Sequence, residues 1–303
     1  MEEDRRLIYL NGAVGTLAAV GCLKILHQSI RSARKTEVTP HMLTQLSLAT
    51  LNMTQGVAIL VDAVLKMTHN TADSVVLYSL PQFVINSCVC AALYNVCILC
   101  FQEYYALKYQ GLVLLITKQR QQVFLMITWG IGALGFSGEL SQAILSSEGP
   151  LSVDDNNETS SAAFSTTLAL YSYVFPCTLL LFLAVLMCYS YVSTADHQKL
   201  LMKGEAYQNR LKHFYILIVA CVLAFGMIFT CLPWGLYSIY CSLFSLITPY
   251  SLSLLRNMSA LVLVIVHVLS RTCYKRLQYA FVENLRREKC LHGEMIWFTE
   301  ETV

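Results

Sequence analysis

Apolar stretches alternate with short polar segments over almost the whole chain, from Leu7 to Ser270. Seven such stretches run near 7–27, 42–66, 75–102, 122–145, 164–192, 214–241 and 246–270. About 20 apolar residues in a helix cross a ~30 Å hydrocarbon layer, and a helix closes its backbone hydrogen bonds where water is absent. The pattern therefore predicts an all-α membrane protein built as a seven-transmembrane helix bundle over residues 7–270. Residues 1–6 form an outer amino terminus, and 271–303 a short cytoplasmic amphipathic helix and tail.

Composition agrees with that class. The chain is 56% hydrophobic and 13% charged, against roughly 45–50% and 25% in a soluble domain. The polar segments are too short to build a second core, so a single membrane domain is expected and no linker.

Charge distribution sets the orientation. Most of the 21 basic residues fall on one side: Arg31, Arg34 and Lys35; Lys108, Lys118 and Arg120; Lys199, Lys203, Arg210 and Lys212; and Arg271 onward. Basic residues beside span ends stay in the cytoplasm. The amino terminus is thus expected outside and the carboxyl terminus inside, in the plasma membrane, with the first span serving as insertion signal. Lys66 and Arg256 are placed near span ends on the outer side.

The outer loop before the fifth span carries Asn157-Glu158-Thr159, an acceptor triplet for glycosylation on the side where that modification occurs. An unmodified triplet is the alternative. Of the 12 cysteines only Cys241 falls near the outer surface, so no stabilising disulfide is expected. Cys290, after Arg286-Arg287-Glu288-Lys289, is a candidate for palmitoylation, or else a plain cytosolic thiol. The terminal Glu300-Glu301-Thr302-Val303 offers a valine to a PDZ-type sheet edge.

An ionisable side chain inside a span costs on the order of 3 kcal/mol at the membrane centre, so each needs a partner, water or a function. Asp62 and Lys66 are four residues apart and face one side of the second span, as a helix-end ion pair or with Asp62 walling an outward cavity that favours a cationic group. Glu139 in the fourth span poses the same choice, snorkelling carboxylate or cavity wall. Trp234 and Tyr237 share a face of the sixth span, either as interfacial aromatics or as cavity walls opposite Gln82 and Phe83. Pro233 removes a backbone bond and kinks its helix, a plausible hinge.

Several strings resemble landmarks of the rhodopsin-like G protein-coupled receptors. Ser47-Leu48-Ala49-Thr50-Leu51-Asn52, preceded by Thr39-Pro40, resembles the second-helix Leu-Ala-x-x-Asp string. Trp129 resembles the fourth-helix tryptophan and Pro176 the fifth-helix proline. Thr230-Cys231-Leu232-Pro233 resembles Cys-Trp-x-Pro, with Cys231 at the tryptophan. Cys273 to Phe281 resembles the basic and aromatic surface helix after the seventh span.

The departures bear on function. Gln102-Glu103-Tyr104 stands at the Asp-Arg-Tyr triplet, so an inner-side arginine becomes glutamate, against ordinary coupling. Asn52 replaces the aspartate that helps hold sodium, which implies weak or absent sodium modulation. The seventh span lacks Asn-Pro-x-x-Tyr and a retinal lysine, and the cysteines of the family's outer disulfide are missing.

The expectation is an atypical receptor that transduces an extracellular ligand by helix rearrangement, with candidate ligand residues Asp62, Gln82, Phe83, Glu139, Trp234 and Tyr237. Asn52, Gln102, Glu103, Tyr104, Cys231 and Pro233 are the candidate switch residues. Membrane lipids, an unknown ligand and a heterotrimeric G protein or cytoplasmic scaffold are the expected partners, with no nucleic acid. A non-signalling scaffold, decoy or accessory protein is the alternative, and a small-solute transporter the second. A transporter would require paired broken helices or an inverted repeat, and neither is expected from this sequence. No catalytic role, cofactor or metal is expected, since only His267 lies deep in a span without a second histidine nearby.

Overall fold

The computed structural model describes residues 2–34, 39–68, 75–108, 118–147, 164–198, 205–244 and 250–270. Among these every element is helical and none is a strand. The helices are α1 (Glu2–Ala33), α2 (Pro40–Thr68), α3 (Val75–Lys108), α4 (Lys118–Ser147), α5 (164–198), α6 (Glu205–Phe244), α7 (Tyr250–Asn257) and α8 (Ser259–Ser270). The chain divides into Met1–Val266 and His267–Val303, and the packing below belongs to the first unit.

Five helices are long and apolar enough to cross a membrane: Arg5–Ala33, Met42–Thr68, Ser79–Tyr105, Phe164–Val192 and Leu217–Phe244. Ser251–Asn257 and Ser259–Ser270 meet at 44° and make a sixth when taken as one crossing. The fourth predicted span coincides with α4, a helix of 30 residues that opens on Lys118, Gln119, Arg120, Gln121 and Gln122 and falls outside that set. The sequence expectation of seven crossings is thus met by five or six.

Some helices also run beyond the predicted spans. α3 continues to Lys108, beyond 102, and α6 begins at Glu205, before 214. Glu, Gln and Lys are good helix formers, so the backbone stays helical past the last apolar residue. The α7/α8 break itself was not expected.

Local chemistry starts and shapes the elements. α2 opens with Thr39 at the N-cap, its Oγ1 accepting the Met42 N–H at 3.3 Å, and with Pro40 at the first helical position, where no N–H is needed. In α5 a π turn spans Leu170–Val174, immediately before Pro176. The proline supplies no N–H to the preceding turn, and the freed Tyr171 carbonyl accepts the Tyr94 hydroxyl of α3 at 3.0 Å. α5 is thereby pinned to α3 where its own ladder is broken.

α3 is central, packing against α2, α4, α5 and α6, while α1 packs on α2 and α7. Small residues permit the tightest approaches. A Cβ on Gly56 would sit 2.8 Å from both the Ala19 nitrogen and the Gly15 oxygen, so α1 and α2 touch backbone to backbone. Gly132 similarly lets α4 approach the Ser87 carbonyl of α3.

Polarity is inverted relative to a soluble globule. Leu134 is 77% and Phe229 72% exposed, as are Leu17, Val57, Phe182 and many others, whereas Arg256, Asn52, Gln55, Asn95, Glu103 and Gln121 are buried. Water would disfavour that arrangement, and lipid favours it. The apolar helices and this inversion suggest a membrane-embedded protein.

Candidate functional site

The break between α7 and α8 turns three polar side chains into the bundle. Arg256 is 1% exposed, although the sequence pattern puts it near a span end. Its Nη1 donates to Asn86 Oδ1 at 2.6 Å and its Nη2 to Gln82 Oε1 at 3.0 Å, both on α3. Nε and Nη2 donate to Asn257 Oδ1 at 3.2 and 3.1 Å. The guanidinium also lies 4.3 Å from the ring centroid of Trp234 on α6, a cation–π contact strengthened by burial. Asn257 donates to Asn11 Oδ1 of α1 at 2.9 Å, and Ser259 accepts from Gln55 of α2 at 3.0 Å.

The hydrogen-bond acceptors of this buried cation among the described residues are neutral. Asp62, also buried, is bonded at 2.7 Å to Lys66 and acts on Arg256 only from farther away. A buried charge is tolerated when its hydrogen-bonding capacity is filled, and here amide oxygens and an indole face fill it.

A partly open cavity of about 180 Å³ adjoins this cluster. Asn86 of α3, Phe136 of α4, Ser165 and Tyr173 of α5, and Trp234 and Ser238 of α6 line it. It lies toward the end where α5 begins and α6 finishes. Tyr173 donates to Asn86 Oδ1 at 2.9 Å, so a single side chain links the cavity wall to Arg256. Ser242 donates to Ser165 at 3.0 Å across the mouth formed by α5 and α6.

The structure distributes the predicted ligand residues unevenly. Trp234 lines the cavity, one of the two placements the sequence left open, and Gln82 holds Arg256 behind it. Asp62 forms the predicted pair with Lys66, and its Oδ1 is buried without a partner among the described residues. Phe83 packs against the apolar core. Tyr237 leaves the cavity wall to Trp234 and stacks on Tyr240, 6.0 Å between centroids. Three residues separate the two aromatics, about 300° of helix rotation, so sharing a broad face does not give them one neighbour. The side chain of Glu139, and Asn157, Cys290 and the terminal valine, lie outside the described residues.

The predicted switch residues occupy the interior and the other end. Asn52 is buried with Oδ1 unpartnered among the described residues, Cys231 is fully buried beside Thr230, and Pro233 lies inside α6. Gln102 donates to Gln121 of α4, which donates to Thr44 of α2 at 2.7 Å, whose hydroxyl donates to the Pro40 carbonyl at 3.2 Å. Glu103 is buried next to this chain in sequence, and Tyr104 is half-buried. Between the ends, Trp129 donates to Ser47 at 2.9 Å, Asn95 to Ser47 at 2.8 Å and Thr128 to Asn95 at 2.6 Å, locking α4, α2 and α3 together.

Sequence reasoning missed Arg256, Asn257, Asn86 and Tyr173. A signal for the first was present, because Arg256, although assigned to a span end, lies within the predicted 246–270 stretch, and an intramembrane arginine is a functional-site candidate by default. The ten cysteines of the described residues are free, and no group of three or more His, Cys, Asp or Glu among them could hold a metal. No protein-family model matches the chain, and no curated protein matches it significantly in sequence.

Proposed function

We propose that this chain is a seven-helix plasma-membrane protein of receptor type, with its amino terminus outside, that takes a small ligand in the cavity between α3, α4, α5 and α6. One observation carries the reading: the cavity wall includes Trp234, the residue after Pro233 on α6. A ligand against Trp234 acts on α6 where a backbone bond is already missing. If it binds one α6 arrangement better than another, it shifts the population and moves the helix's other end. α4 supplies the seventh crossing, supported by the exposed apolar side chains Val123, Phe124, Met126, Ile127 and Leu134 along its length.

The second reading is a receptor-like scaffold or accessory protein without ordinary coupling. It is favoured by Glu103, a buried carboxylate where the resembling receptors carry arginine. Basal and ligand-panel activation of several G proteins, beside a Glu103→Arg variant, separates the two. Activation by the wild-type chain is the result expected of a receptor, whereas a silent wild type with an active variant establishes the scaffold. Asn157→Gln should remove a glycan mass shift if the loop before α5 faces outward.

A further inference from the structure

We infer that the cavity recognises a small aromatic anion, with Arg256 supplying the balancing charge and Asn86 a hydrogen-bond donor. The inference rests on the cavity being the ligand site and adds the chemical class of the ligand.

Three observations lead there. Arg256 is buried with neutral hydrogen-bond acceptors, while the carboxylate of Asp62 is engaged by Lys66. Two of the groups touching the guanidinium, Asn86 and Trp234, are themselves cavity walls, so the charge lies one side chain behind the cavity surface. In that poorly screened position it favours an anion and disfavours a cation. This reverses the cationic preference that Asp62 suggested from sequence.

The polarity of the wall matches. Arg256 and Tyr173 both donate to one atom of the Asn86 side chain, at 2.6 and 2.9 Å, so that atom is the oxygen. The amide N–H pair is then the part of the Asn86 side chain that can donate to a ligand acceptor. Size and lining complete the description. About 180 Å³, walled by Phe136, Tyr173 and Trp234, holds one aromatic ring with a carboxylate, given that a cavity of roughly 150 Å³ takes benzene.

The test is thermal unfolding of the full-length protein in detergent, read by a thiol-reactive dye on its buried cysteines, with benzoate, benzamide and benzylamine as probes. Benzoate should raise Tm at concentrations roughly tenfold below those benzamide requires, with no effect of benzylamine. Arg256→Lys should keep part of the benzoate shift and Arg256→Gln should abolish it. Ser238→Leu, which fills the cavity and leaves Arg256 in place, should also abolish it if Arg256→Gln does not fold.

Equal stabilisation by benzoate and benzamide, preference for benzylamine, or no benzoate shift in the wild type overturns the inference. So does stabilisation by phosphatidylglycerol nanodiscs with no further effect of benzoate, since the anion is then a lipid headgroup. Because the readout needs no signalling, a protein silent toward G proteins that still selects benzoate refutes only the receptor reading.

Discussion

The Arg256 cluster and the Gln102–Gln121–Thr44 chain occupy opposite ends of the bundle and treat buried polarity differently. At the Gln121 end neutral side chains on α3, α4 and α2 pass hydrogen bonds from one to the next, ending on a backbone carbonyl. At the Arg256 end a full charge is buried on α7, held by amide oxygens from α3 and by an indole from α6, beside a cavity. A neutral chain fixes geometry at small cost, because each donor finds an acceptor. A charge held only by neutral groups is satisfied locally yet still exerts a field, which favours recognition.

Removing Arg256 should produce the largest effect. Arg256→Ala orphans the oxygens of Gln82 and Asn257, leaves Asn86 Oδ1 with only its bond from Tyr173, and opens a void, an expected loss of about 3–5 kcal/mol in reversible unfolding. An effect below about 1 kcal/mol would erase the contrast between the two ends. Gly56→Leu tests helix approach independently of either cluster. Its Cβ meets backbone of α1 on two sides, and separating the helices should cost about 2–3 kcal/mol.

At the other end, Gln121→Leu leaves Gln102 and Thr44 without their shared partner and should cost about 1–2 kcal/mol, with no change in probe binding at the cavity. A Gln121→Leu variant that lost the benzoate shift would mean that the two layers are coupled. Trp129→Phe, which removes one indole bond to Ser47, should cost only about 0.5–1 kcal/mol by the same measurement.

Much of the helix arrangement was legible in the apolar periodicity, since a span's length is dictated by the thickness of its solvent. The Asp62–Lys66 pair followed from a four-residue spacing, whereas the Thr39-Pro40 start of α2, two residues before the expected span, is a capping signal that the apolar pattern does not report. The α7/α8 break was harder to read because it contains neither proline nor glycine. Leu255-Arg256-Asn257-Met258-Ser259 differs from its surroundings only in polarity, and the bend becomes evident once those side chains have partners on α1, α2, α3 and α6. The cavity was less legible still. Phe136, Ser165 and Tyr173 are ordinary residues in sequence and converge only through helix packing. The π turn in α5 belongs with them, for Pro176 marked the place but its Tyr94 partner lies 77 residues from Tyr171.

The central claim is an odd number of membrane crossings, with α4 as the seventh. Epitope tags at both ends, probed in intact and then permeabilised cells, count the parity directly. Seven crossings predict an amino-terminal tag reached in intact cells and a carboxyl-terminal tag reached only after permeabilisation. Both tags on one face would mean an even number, contradicting the receptor topology.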